Sequence, residues 1–195
     1  MRELALHLLD IAENSVAAKA QNITISVNED HQADRLQMSV VDDGCGMDEA
    51  TVARVIDPFF TSRTTRKVGL GLPFLKQAAE ACNGDLQITS TPGKGTQVKV
   101  EFQFSHIDRM PLGDLAGTFL SLLIASPEIN WDFNYVVAGR GKEFKFESQP
   151  VTQALQGVSL TEPSILTYLR ESIESGVADV LLDASPRPDR NPKLT

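Results

Sequence analysis

Asp42-Asp43-Gly44-Cys45-Gly46-Met47 follows directly on the alternating apolar positions Leu36, Met38 and Val40. Alternation of this kind predicts a strand over 35–41 with one face buried. The strand delivers one carboxylate, Asp42, to a glycine turn. Without a Cβ, glycine takes φ > 0 easily and lets a flat ring approach the backbone. A carboxylate held there accepts a hydrogen bond from an exocyclic amine. An ordinary turn is also rich in Asp and Gly, so the motif acquires meaning only from its surroundings.

Upstream, residues 2–20 read as a helix. Leu4, Leu8, Ile11 and Ser15 form a stripe that Ala5, Leu9, Ala12 and Val16 broaden. Asp10 and Asn14 are four apart and share a face, while Glu13 points about 100° away from Asn14. Asparagine is a poor residue for a helix centre. Its amide oxygen suits a hard cation such as Mg²⁺ that keeps waters and phosphate oxygens in its shell; the plain alternative is a solvated helix face. Ile23, Ile25 and Val27 alternate as a half-buried strand, 28–34 is a polar connection, and the return strand completes an antiparallel hairpin.

Downstream, Asp48 is placed to cap a short helix ending near Ile56, which Asp57-Pro58 stops. Residues 57–68 have no apolar period and crowd Arg63, Arg66 and Lys67 into one polar loop. That is a solvated loop, or a lid whose cations reach phosphate oxygens, with Phe59 and Phe60 anchoring its base. Gly69-Leu70-Gly71-Leu72 opens a helix that runs to Cys82 and stops at Asn83-Gly84. Pro73 is tolerated only in the first turn, so the glycines lie at the helix N-terminus, a natural anion site. Strands over 86–91 and 96–104 flank the turn Pro92-Gly93-Lys94-Gly95, with Thr96 at the start of the second.

Composition narrows the classes. The chain has 195 residues, 42% of them hydrophobic and 23% charged, and a formal charge of −8. A chain of this size folds as one large domain or two small ones. The acidic balance argues against nucleic-acid binding and against an anionic membrane surface. No apolar run approaches the roughly 20 residues of a membrane span, and the start lacks the core of a signal peptide. Two distant cysteines make no disulfide framework, and no CxxC or HxxxH spacing occurs. A reducing, cytoplasmic setting is the expectation.

Taken in order, the helix with Asn14, the Asp42-x-Gly-x-Gly turn, Pro58-Phe-Phe-Thr with its basic loop, Gly-Leu-Gly-Leu and Gly-Lys-Gly-Thr resemble the GHKL ATPases: gyrase, Hsp90, histidine kinases and MutL. The match is closest to the histidine-kinase-like ATP-binding domain and covers about residues 1–105. The resemblance implies an α+β fold, a two-layer α/β sandwich whose mixed sheet is covered by helices on one face. It implies ATP and Mg²⁺ as cofactors. Asn14 would ligate the metal, and Asp42 would bind the adenine amine with Thr96 helping through water. Gly44 and Gly46 would give the base room. Gly69, Leu70 and Gly71 would offer backbone donors to phosphate, and Arg63, with Lys67 nearby, would meet the outer phosphates. Asp10 stands where relatives often carry Glu or Asn and is the first candidate for a general base; Glu13 is the second. Lys67-Val68 replaces the Gly-Thr that many relatives place before Gly-Leu-Gly-Leu, and the lid is short.

His7, His31 and His106 lie outside any two-helix phosphoacceptor segment, so a complete sensor kinase is not expected. Residues 106–184 read as a small α+β partner-recognition module. It has a helix over 112–125, a hairpin over 131–147 turning at Gly139-Arg140-Gly141, and helices over 151–156 and 163–175. Trp131, Phe133 and Tyr135 are its expected core. This module resembles the extra segment of stand-alone ATP-binding proteins that accompany bacterial iron-only hydrogenases. Residues 185–195, rich in Pro and charge, are expected to be disordered. The expected function is a cytoplasmic ATP-binding regulator, a Mg-dependent ATPase or protein kinase. It would engage a protein partner through the C-terminal module, with a homodimer allowed. The alternatives are an anti-sigma-factor-like serine kinase and a non-catalytic, ATP-driven switch.

Overall fold

The computed structural model describes residues 3–56, 71–139, 142–155 and 158–182. Its elements are α1 (Leu4–Ala17), β1 (Asn22–Asp30), β2 (Arg35–Asp42), α2 (Glu49–Val55), α3 (Gly71–Ala81), β3 (Asp85–Thr91) and β4 (Gly95–Gln103). They continue with α4 (Leu115–Ala125), β5 (Asn130–Val137), β6 (Glu143–Glu147), α5 (Ser148–Ala154) and α6 (Pro163–Leu182). The strands form one mixed sheet in the order β3-β4-β2-β1-β5-β6; β5 runs parallel to β1, and all other neighbours are antiparallel.

Period-two alternation sets the layers. Ile23, Ile25 and Val27 of β1, Leu36, Met38 and Val40 of β2, and Val98, Val100 and Phe102 of β4 are buried, while the residues between them are not. The helices pack on that one apolar face, which gives the expected two-layer sandwich. Among the described residues no helix is long and apolar enough to cross a membrane.

The expected boundary at residue 105 matches no break in the sheet. β5 pairs with β1 over its whole length, with Ile25 beside Phe133 and Val27 beside Tyr135. Trp131, Phe133 and Tyr135 are buried in the same core as Leu8 and Val27. Phe119 of α4 packs edge-on against Trp131 and Phe146. The described residues of 106–182 therefore share one sheet and one core with the residues before them.

This extension also secures the first helix. Glu3, at the start of α1, makes no side-chain cap. The leading amides bond to later backbone instead, Leu4 N to Pro111 O at 2.9 Å and Ala5 N to Leu112 O at 2.8 Å. Because Pro111 and Leu112 are used this way, α4 begins at Leu115, not at 112; Gly113 turns at φ +79 and Asp114 caps Gly117 N. α6 runs on to Leu182, beyond the expected end at 175.

β1 likewise extends past the expected polar break at 28. Glu29 faces inward, 4% exposed, where its carboxylate accepts from the Tyr135 hydroxyl and pairs with His31. Burial and this bond push the Tyr135 hydroxyl far above its ordinary value, so it serves as a donor. The expected turn residues Arg140 and Gly141, and the tail 185–195, lie outside the described residues.

Asp43 pins the start of β1, accepting from Gln21 N at 2.7 Å, Asn22 N at 2.9 Å and Asn22 Nδ2 at 2.6 Å. Burial pushes its carboxyl up, but the bonds from Asn22 and Gln21 outweigh that and hold it below the usual range. A depressed folded value stabilises above the unfolded carboxylate value and stops doing so as pH falls through the folded one. Asp43→Asn is therefore expected to melt earlier than wild type at pH 7, with the gap closing below about pH 4. Thermal melts between pH 7 and pH 3 check this.

Candidate functional site

β2 ends with Asp42 on its buried face, 9% exposed. Three donors hold its carboxylate: Gly44 N at 2.9 Å and Thr96 N at 3.2 Å on Oδ1, and Ser15 Oγ at 2.6 Å on Oδ2. The carboxylate is thus fixed before any ligand arrives.

The glycines let three backbone segments meet at this point. Gly46 has φ +64, and a Cβ on it would lie 2.0 Å from Thr91 O; Gly95 has φ +102, and a Cβ on it would lie 1.9 Å from Asp42 O. Cys45 N bonds to Ala18 O and Gly93 N to Cys45 O. The turn is thereby clamped between the end of α1 and the β3–β4 turn.

Beside Asp42 opens a cavity of about 250 Å³. Ile11, Met47, Val55, Leu72 and Val98 supply apolar walls, and Asn14, Asp42 and Thr96 the polar points. A flat ring with one exocyclic amine fits such a lining, apolar on its faces and anionic at one edge. Thr96 is steadied by Ser90, whose hydroxyl lies 2.9 Å from Thr96 Oγ1 and accepts from Met47 N at 2.8 Å.

The structure therefore brings Asn14, Asp42, Gly46 and Thr96 into one cavity lining. Gly44 stands behind the lining, where a Cβ would meet Ala18 at 2.9 Å. Asp10 lies one turn before Asn14, its Oδ2 2.9 Å from where a Cβ on Gly71 would be, so it abuts the N-terminus of α3. Glu13 is exposed and does not line the cavity. Arg63, Lys67, Gly69 and Leu70 lie outside the described residues.

Sequence reasoning passed over Ser15 and Ser90. In the sequence Ser15 reads as part of an apolar stripe; its signal is a hydroxyl on the buried side of a helix, next to Asn14. Ser90 carried none, because its role depends on pairing with Thr96 across β3 and β4.

Among the described residues no group of three or more His, Cys, Asp or Glu is placed to hold a metal ion. The Asn14 amide fits a cation bound chiefly by phosphate and water, which needs only one or two protein oxygens. His7 is buried on α1, and its Nδ1 has no hydrogen-bond partner. Burial pushes its imidazole below the ordinary value, against the pull of Asp10.

The family model for histidine kinase-, DNA gyrase B- and HSP90-like ATPases matches residues 1–106, more than half of the chain. The chain therefore belongs to that family. It is 45% identical over 89 residues to the sensor protein kinase FleS of Pseudomonas aeruginosa, a match covering 46% of this chain and 22% of the relative. It is 37% identical over 103 residues to a sensor protein of Shewanella frigidimarina, covering 52% of this chain and 16% of the relative. The chain thus spans less than a quarter of these relatives' length. The crystallised N-terminal domain of a DNA repair protein shares the fold, with a TM-score of 0.51 and 16% identity, over 74% of this chain and 52% of that one.

Proposed function

We propose that this chain is an ATP-binding regulatory protein of the histidine-kinase type, acting in the cytoplasm by Mg²⁺-dependent hydrolysis of ATP or transfer of its phosphoryl group to a partner protein. The observation that carries the reading is the Asp42 carboxylate, held by three donors at the edge of an apolar cavity. It accepts the amine of adenine and discriminates against guanine, whose corresponding edge carries an oxygen. Thr96 supports the same edge through water. Asn14 holds Mg²⁺, and Gly69, Leu70 and Gly71, with Arg63 and Lys67, receive the phosphates. Bound Mg²⁺ supplies charge neutralisation at the transferred phosphoryl group. Asp10 is the first candidate base because its carboxylate abuts Gly71 at the N-terminus of α3, whereas Glu13 is exposed and points about 100° away from Asn14; neither lines the cavity itself. The extended sheet and helices of residues 106–182 are the surface offered to a partner.

Calorimetric titration tests this reading. Mg-ATP is expected to bind at least tenfold more tightly than Mg-GTP; equal affinities would defeat the base assignment. Asn14→Ala is expected to weaken binding about tenfold in Mg²⁺, because the cation loses one of its few protein oxygens, and to change nothing in excess EDTA. A loss of the same size in EDTA would remove Asn14 from the metal site.

A further inference from the structure

The two edges of the sheet are built differently. β6, at one edge, has five residues and carries Glu143, Lys145 and Glu147, all exposed. Short length and charge are how sheets keep other strands away. β3, at the other edge, has seven residues, of which only the first, Asp85, is charged, and no charged side chain follows from Leu86 through Pro92. Gln87, Thr89 and Thr91 stand exposed on one face, Leu86, Ile88 and Ser90 face the helices, and among the described residues no strand pairs with the outer side. This edge also opens onto a cleft of about 360 Å³ between α2 and β3. Val52 and Ile88 give it an apolar floor, and the exposed Glu49 stands at its rim.

We propose that β3 is a docking edge for an extended segment of a partner protein, which joins the sheet as a seventh strand. Backbone hydrogen bonds along 85–91 supply affinity, and side chains at alternate positions supply selectivity. An apolar side chain of the segment enters the cleft over Val52 and Ile88. A lysine or arginine two positions away faces Glu49. An acidic segment is rejected there. This inference uses neither the cavity beside Asp42 nor bound nucleotide, so it stands or falls apart from the reading above.

The probes are two fluorescein-labelled peptides, Thr-Val-Thr-Lys-Thr-Val-Thr-Lys-Thr, which sets valine and lysine two apart on one face, and its counterpart with glutamate for lysine, titrated into the full chain by fluorescence anisotropy. The lysine peptide is expected to bind at least tenfold more tightly than the glutamate one. Glu49→Lys is expected to reverse that order, and Val52→Asp to weaken the lysine peptide at least tenfold. Because the whole chain is acidic, Glu143→Lys on the opposite edge is the control and should leave the order unchanged. Amide hydrogen exchange should slow in 85–91 on peptide addition and not in 143–147. The proposal is overturned if neither peptide binds at millimolar concentration, if Glu143→Lys alters the preference as much as Glu49→Lys, or if protection falls on β6.

Discussion

Asp42→Asn is expected to lower ATP affinity roughly thirtyfold while the chain stays folded. The exchange keeps the shape of the side chain and removes its charge. A hydrogen bond to a charged group contributes about 2 kcal/mol, and every 1.4 kcal/mol is tenfold in affinity. Part of the effect is internal, because Ser15 Oγ and Thr96 N both donate to this carboxylate. An amide nitrogen turned toward Ser15 sets donor against donor, unless the serine hydroxyl rotates. The variant should therefore also lose about 1 kcal/mol of stability. Calorimetry gives the affinity, and a denaturant melt gives the stability. Unchanged ATP affinity in a folded Asp42→Asn protein would remove the carboxylate from the binding site.

Trp131→Ala is expected to destabilise the whole protein by about 3–5 kcal/mol, the usual cost of emptying a large aromatic site. Trp131 is fully buried, its Nε1 donates to Ser126 O at 2.9 Å, and its ring meets Phe119 with centroids 6.5 Å apart. For a chain of this size the loss corresponds to a fall in Tm of roughly 10 °C. The transition should stay single, because β5 lies between β1 and β6 in one sheet. Far-UV circular dichroism is the probe, since the substitution removes the chain's one tryptophan. A variant that melts in two steps would mean that residues 106–182 form a separate unit, and a loss under about 1 kcal/mol would mean that Trp131 does not fill a packed site.

Much of the first hundred residues was legible because local chemistry and long-range packing agree there. The stripe of α1, the Asp48 cap that accepts from Thr51 N at 2.7 Å, and the alternation of β2 and β4 are signals contained within a few residues. Glu29 shows the opposite case. Between Asn28 and Asp30 it reads as part of a polar link, and only Tyr135, 106 positions away, makes an inward carboxylate tolerable. The pairing across residue 105 is hidden for a similar reason: the family motifs end there, as the match over 1–106 does, but nothing local shows that β1 has a free side that β5 fills. In the site, motif spacing pointed to Asp42 and Asn14, whereas the supporting hydroxyls of Ser15 and Ser90 depend on which segments cross, and no local pattern encodes that.

The carbonyls of Pro111 and Leu112 decide how this molecule can be recombined. They close the opening turn of the helix that bears Asn14. A chimera that takes residues 3–104 from this chain and continues into a partner with no segment laid across the start of α1 leaves the Leu4 and Ala5 amides without their acceptors and frays that turn. Exchange of parts between such proteins must carry the 111–112 stretch together with the helix it closes, and the natural seam for engineering is not where the family motif stops.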